Sequence, residues 1–256
     1  ERLNRNGDLS QEQKDTLLAM KIAMDSLELY AANVSKQAAR EAALEKNPHR
    51  KQELLQLADI TKNVPKNPAK TLQEAMNAAW LFLVGVLMEN TNVSLSPGRL
   101  DQYFQPYFEN DMADITDPEE KRKTIERAIE LVACFYMRIS SHFTATPDAM
   151  NYMASGTKSD SAVTLGGITP DGKDAVNDMS YIFLKVTEML VAQEPNVNVR
   201  YHPDITSKTF LNRVCEVNYI TVGTPSLHND KAIFKAFEQH PEFEIEDIRD
   251  WGAVGC

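Results

Sequence analysis

The side chain best placed to do chemistry is Cys256, at the end of Asp250-Trp-Gly-Ala-Val-Gly-Cys256. A nucleophilic thiolate wants a helix N-terminus or a basic neighbour. Trp251, Val254 and Gly255 supply neither. Two readings remain: a small buried hydrophobe, or a neutral thiol used for hydrogen-atom transfer, which needs water kept away rather than charge stabilisation. His228-Asn229-Asp230 is the densest polar triplet. It reads either as a loop and helix cap, with Asp230 capping the segment from Lys231, or as the lining of a pocket beside strand ends. His142, His202 and His228 lie far apart, so satisfied polar or structural roles are favoured over metal ligation, and no bound metal is expected. Leu165-Gly166-Gly167 could cradle a phosphate, but no helix begins directly behind it, which favours close packing or a bulge. Walker, GxGxxG, HExxH and GxSxG patterns are absent.

These residues must be positioned by two kinds of chain. The first half reads as helices. Ser10-Gln-Glu-Gln13 has capping-box spacing, with Met20, Met24, Leu27, Ala31 and Val34 recurring behind it at helical intervals. A short amphipathic segment follows Asn47-Pro48, carrying Leu54, Leu55, Ala58 and Ile60. Val64-Pro-Lys-Asn-Pro68 is an extended connector. Thr71-Leu-Gln-Glu74 opens an apolar helix through Met88, and Asp117-Pro118 caps another with Ile125, Ile129, Val132, Tyr136 and Ile139 on one face. From about Asp160 strands alternate with helices: a strand over 161–168, a helix bearing Met179, Ile182, Phe183, Val186 and Met189, a strand over 196–202, and a helix over 207–220. The extended segment 224–230, two short helices and an apparent strand over 253–256 complete the chain. The expected organisation is a mainly helical region over 1–160 and a β/α segment over 161–256 that ends at the cysteine loop.

Composition limits the function. Hydrophobic residues at 43% and charged residues at 25% suit a globular protein. A formal charge of -10 argues against a nucleic-acid or anionic-membrane surface. Cys134, Cys215 and Cys256 are too few and scattered for a disulfide framework, which favours a reducing cytoplasm. The longest apolar run, Ala78 to Met88, is too short to cross a bilayer, and no apolar leader follows Glu1. The abrupt ends suggest part of a larger polypeptide.

Several segments together resemble one family. Ser96-Pro-Gly-Arg-Leu-Asp-Gln-Tyr103, followed by Pro106-Tyr107, is similar to the SPGRxDQYxxPYY signature of glycyl radical enzymes related to pyruvate formate-lyase. Val64-Pro-x-x-Pro-Ala-x-Thr-x-x-Glu-Ala75 with Trp80 resembles the stretch just upstream. Thr164-Leu-Gly-Gly-x-x-x-Asp-Gly-x-Asp-Ala-x-Asn177 resembles the family's GG…DG.DA.N block. Pro225-Ser-Leu-His-Asn-Asp230 and Asp250-Trp-Gly-Ala-Val-Gly-Cys256 resemble its PSFxND and DYGxVGC segments. Order and spacing agree from about Val64 onward.

The resemblance implies a helical N-terminal region leading into about half of a ten-stranded α/β barrel. It implies that Cys256 is the cysteine whose thiyl form takes a hydrogen atom from substrate, in agreement with the apolar setting of that thiol. The radical would reside on a glycine outside these residues, installed by a separate iron–sulfur, S-adenosylmethionine-dependent activating enzyme. Gly255 before Cys256 is closer to the GCxE pattern of dehydratases, lyases and decarboxylases than to the paired cysteines of pyruvate formate-lyase. A Glu two positions beyond Cys256 is the expected acid/base. The expected activity is elimination or C–C, C–O, C–N or C–S cleavage of a small polar metabolite by a cytoplasmic homodimer. His228, Asn229 and Asp230 are candidate substrate contacts; Arg99 and Asp101 are expected to form a structural ion pair. Pyruvate formate-lyase or decarboxylase activity is the alternative within the family. A non-catalytic half that binds a complementary chain is the alternative outside it, since missing strands would leave open sheet edges and exposed apolar surface.

Overall fold

The computed structural model describes residues 9–89, 95–141, 161–192 and 194–254. His142, Gly255 and Cys256 lie outside them. The chain divides into two compact units, 1–86 and 87–256.

The first unit is helical. Helix α1 (Gln11–Leu44) opens with the expected capping box: Ser10 Oγ accepts from the Gln13 amide at 3.2 Å, and Gln13 Oε1 accepts from the Ser10 amide at 3.0 Å. Helix α2 (Pro48–Asn63) has Asn47 as its cap and proline in the first turn, where no intrahelical donor is lost. Ser35 of α1 donates to the Ala58 carbonyl of α2 at 2.7 Å. Leu27 and Ala31 of α1 form a buried cluster with Leu81 of α3 (Leu72–Glu89). Met20 and Met24, which recur with Leu27 and Ala31 at helical intervals, are exposed where those two are buried. The reason is length. At 1.5 Å per residue, the 34 residues of α1 span about 51 Å and the 16 of α2 about 24 Å, so α2 leaves the first turns of α1 uncovered.

The second unit places helices on a small parallel sheet. Helices α4 (Leu100–Met112) and α5 (Pro118–Ser141) precede strand β1 (Ala162–Gly166). Helix α6 (Asp178–Leu190) crosses to β2 (Asn196–Tyr201), and α7 (Lys208–Ile220) crosses to β3 (Ser226–Asn229). Helices α8 (Asp230–Phe237) and α9 (Ile245–Arg249) follow. The strands run parallel in the order β1-β2-β3, with Gly166 opposite Arg200 and Arg200 opposite His228. Parallel neighbours need a crossover, and the two helices supply it.

Because side chains alternate along a strand, this register sorts the sheet into two faces. Val163, Leu165, Val197 and Val199 share one face and are fully buried. With Met179, Phe183 and Val186 of α6 and Phe210, Val214 and Val217 of α7, they form the core. Phe104 of α4 stacks against Phe183 at 6.5 Å between centroids, and Phe135 and Tyr136 of α5 complete an aromatic cluster. Each such side chain contributes roughly 1.5–3 kcal/mol of burial. The other face carries Thr164, Asn198, Arg200, Ser226 and His228. Parallel sheets are usually apolar on both faces, so a polar face that is still buried at Thr164, Asn198 and Arg200 sets this side of the sheet apart from the core.

Candidate functional site at the strand ends

The Ser96-Pro-Gly-Arg-Leu-Asp101 segment is wrapped around β1. Ser96 Oγ accepts from the Ala162 amide at 3.2 Å, and the Gly98 carbonyl accepts from the Thr164 amide at 2.9 Å. Gly98 thereby bridges Val163 along the strand's outer edge, at φ +80°, a backbone state that disfavours any side chain. Arg99 and Asp101 then grasp the strand's last residue from both sides. Asp101 Oδ2 accepts from the Gly166 amide at 2.7 Å and the Ser180 hydroxyl at 2.6 Å. Arg99 Nη2 donates to the carbonyls of Gly166 (3.0 Å) and Ile168 (3.1 Å). The expected ion pair takes a different form: Arg99 Nη1 meets Asp250 Oδ1 at 2.6 Å, while Asp101 is spent on the strand end and α6. Burial pushes the Asp101 carboxyl above its ordinary range, and the Gly166 and Ser180 donors offset part of that shift. Gln102 donates to the Ala175 carbonyl at 2.7 Å, and Gln105 accepts from the Met179 amide at 3.1 Å. The SPGR…DQY and GG…N motifs therefore interlock side chain to backbone.

At the end of β2 stands Arg200, wholly buried. Its Nε and Nη2 pair with the two oxygens of Asp230, also wholly buried, at 2.9 and 3.0 Å. Nη1 donates to the Trp251 carbonyl at 2.6 Å and Nη2 to the Arg249 carbonyl at 2.8 Å. The guanidinium carbon lies 4.7 Å from the centre of the Trp251 ring, within cation–π range. Trp251 Nε1 donates in turn to Asp230 Oδ1 at 2.9 Å. Desolvation pulls the Arg200 pKa down and the Asp230 carboxylate pulls it back, the former being the larger effect. Nearer the strand centre, Thr164 Oγ1 accepts from the Ala253 amide at 2.9 Å. Residues 249–253 are thus held across the strand ends by side chains from β1, β2 and the start of α8. Ala253 and Val254, expected in a strand, belong to none among the described residues.

The His228-Asn229-Asp230 triplet separates into three roles. Asn229 caps α8, its Oδ1 accepting from the Lys231 amide at 3.0 Å. Asp230 faces Arg200 and Trp251. His228 is half-buried on the polar face, with Nε2 2.8 Å from Asn198 Oδ1 and its ring edge-on to Trp251 at 5.7 Å. Asn198 Nδ2 donates to the Asn196 carbonyl, so its Oδ1 is the acceptor and His228 carries its proton on Nε2. Burial lowers the His228 pKa, which keeps the ring neutral near pH 7. His202 lies elsewhere, tilted against Phe234. The Gly166-Gly167 pair serves close packing: Gly167 donates to the Arg200 carbonyl at 2.8 Å, and a Cβ there would lie 2.8 Å from Arg200 Nε. Among the described residues, no three His, Cys, Asp or Glu side chains gather as a metal site would require. No helix of the described residues is long and apolar enough to cross a membrane. Arg200 belongs to no motif; its one signal in the sequence is a guanidinium at an inward position of the alternating strand Asn-Val-Asn-Val-Arg-Tyr.

A parallel β/α sheet with one polar face, and a chain segment gripped at the carboxyl ends of its strands, is part of an α/β barrel, and the candidate site lies at those strand ends. The sequence profile described as pyruvate formate lyase-like matches residues 1–256, and the chain belongs to that family. It is 34% identical over 250 residues to the isethionate sulfite-lyase of Nitratidesulfovibrio vulgaris, covering 96% of this chain and 29% of that protein. It is 32% identical over 247 residues to the trans-4-hydroxy-L-proline dehydratase of Clostridioides difficile, covering 95% of this chain and 30% of the relative. In structure it resembles the glycerol-bound B12-independent glycerol dehydratase of Clostridium butyricum (TM-score 0.88, 28% identity, all of this chain and 31% of that one). It likewise resembles a glycyl radical enzyme of Archaeoglobus fulgidus (TM-score 0.80, 29% identity, 91% and 29%). The expectation of a helical region leading into part of a glycyl radical enzyme barrel is met. The chain spans less than a third of the length of these relatives.

Proposed function

We propose that the full-length protein containing this chain is a glycyl radical enzyme of the eliminating kind, a dehydratase or lyase acting on a small polar metabolite. The observation that supports it most is the hold on Arg249 to Ala253 at the strand ends, in the segment that leads to Gly255-Cys256. The relatives named above as a sulfite-lyase and dehydratases support elimination over pyruvate chemistry. In this reading the thiyl form of Cys256, its own hydrogen atom already given up to the glycyl radical, abstracts hydrogen: a substrate C–H bond breaks, an S–H bond forms, and the unpaired electron passes to carbon beside the leaving group. After the leaving group departs with a proton, the thiol returns its hydrogen atom to the product carbon, so no net oxidation occurs. A glycyl radical on a glycine outside these residues, installed by a separate S-adenosylmethionine/iron–sulfur activating enzyme, supplies the unpaired electron.

Of the candidate substrate contacts, His228 is the one we assign to substrate, because its neutral ring lies on the polar face with its Nε2–H orientation held by Asn198. Asn229 and Asp230 keep that ring and its neighbours in place. The complete enzyme is expected to be a cytoplasmic homodimer. The test is anaerobic activation of the full-length protein. A glycyl-radical electron paramagnetic resonance signal is expected, and Cys256→Ser is expected to keep the signal and abolish turnover. Full activity in that variant would overturn the assignment.

A further inference from the structure

We propose that Arg200, Asp230 and Trp251 are positioning residues that set the path of the chain into Cys256, and with it the distance over which the hydrogen atom moves. The inference rests on Cys256 being the hydrogen-abstracting group.

Three observations carry it. First, beyond Asp250, whose amide still bonds the α9 carbonyls, the segment has no helix or strand pairing of its own among the described residues, and the Trp251 carbonyl and Ala253 amide are held by side chains. Trp251 is held at three points: its carbonyl by Arg200 Nη1 (2.6 Å), its indole N–H by Asp230 Oδ1 (2.9 Å), and its ring face by the guanidinium. Second, the holding pair is rigid. Arg200 uses Nε, Nη1 and Nη2 at once, and the pair is shut off from water, where a planar bidentate fork gives direction as well as energy. A buried ion pair is weak evidence for stability, since an apolar pair of similar volume often serves as well. What an apolar pair could not do is fix two carbonyls and an indole N–H at defined points. Third, the tether to the thiol is short. Ala253, bound to Thr164, stands three residues before Cys256, and three residues of chain span at most about 11 Å.

A displacement of about 1 Å at a reacting atom can cost roughly a hundredfold in rate, so small changes in this grip should reach the chemistry. Residues 249–253, the strap, also differ from the substrate contact proposed at His228, which would act on binding. The expected signature is therefore a fall in kcat with KM nearly unchanged.

The experiment uses the full-length enzyme, anaerobically activated, with turnover normalised to the glycyl-radical spin count and measured on protiated and site-deuterated substrate. Trp251→Phe keeps an aromatic ring over Arg200 but deletes the indole donor. Its kcat per radical is expected to fall about tenfold, with KM within about threefold and a larger deuterium effect on kcat, because hydrogen transfer becomes more rate-limiting. Asp230→Asn is expected to fall further, about a hundredfold. If Asp230→Asn fails to fold, Trp251→Phe decides alone. A deuterium effect equal to that of the wild type, whatever happens to melting temperature or radical yield, overturns the proposal and leaves the three residues with a purely structural role. Retained turnover in Cys256→Ser would instead overturn the reading beneath it, and the two failures are read from different variants.

Discussion

Replacing Gly167 with alanine tests how firmly Arg200 is held, and Gly172 provides the matched control. Both glycines sit in the left-handed region, at φ +81° and +85°. A side chain there costs about 1–2 kcal/mol, offset by about 0.4–1 kcal/mol because alanine restricts the unfolded chain. Gly172→Ala should therefore lose about 1 kcal/mol, since its new Cβ meets only the tip of Arg249 at ordinary distances of 3.4–3.5 Å. At Gly167 the new Cβ would lie 2.8 Å from Arg200 Nε, 2.9 Å from its Cζ and 3.0 Å from its Cβ, so swinging the guanidinium aside does not clear the stem. Arg200 must shift, and giving up even one of its charge-assisted hydrogen bonds adds about 1.5–3 kcal/mol. The expected total for Gly167→Ala is roughly 2.5–4 kcal/mol. Urea unfolding of both variants alongside the wild type measures the difference, and the wild-type m-value checks that the transition is unchanged. If the two variants lie within about 0.5 kcal/mol of one another, Arg200 yields freely, and the argument that it holds the strap rigidly fails.

Two further outcomes follow from the hydrogen bonds around α6. Ser180→Ala removes the 2.6 Å donor to buried Asp101 and the acceptor of the Asn177 amide, and is expected to cost about 2–4 kcal/mol. Asn177→Ala, which chiefly removes the cap, should cost only about 1 kcal/mol, and equal losses in thermal unfolding would show that the Asp101 contact contributes nothing. Glu188 is held down to about 2 by its hydrogen bond to Arg213 and then by Lys185. Its depressed pKa means the unfolded chain takes up the proton first. The α6–α7 pair is thus at full strength above the ordinary value of 4.5 and is lost as pH falls toward 2. Glu188→Gln should flatten that part of the stability–pH curve and cost about 1 kcal/mol at neutral pH, because the pair is partly solvated. An identical acid limb in wild type and variant would count against the pair.

The local elements were largely legible in the sequence because they rest on neighbouring residues. The Ser10 box, the Asn47-Pro48 break, the Asp117 cap, and the alternation in Asn-Val-Asn-Val-Arg-Tyr are short-range signals, and helices and strands stand where those signals put them. The family motifs were legible too, as words without syntax. What burial a helix receives depends on the length of its partner, which is why Met20 and Met24 look like core residues in the pattern and are exposed in the fold.

The site was decided only by the tertiary structure. Arg99 and Asp101 are two residues apart and invite a pairing with one another. Yet Arg99 finds Asp250, 151 residues on, and Asp101 caps the end of β1. His228, Asn229 and Asp230 are consecutive and invite a single role, but a strand turning into a helix sends them to Asn198, to Lys231 and to Arg200. The physical reason is that parallel strands bring their carboxyl ends together only through crossover connections, so partners in the site are distant in the chain. The residue types and their order determined what family of chemistry was available. The register of Gly166, Arg200 and His228 across one polar face decided that Arg200 meets the backbone of residues 249 and 251 while His228 meets Asn198.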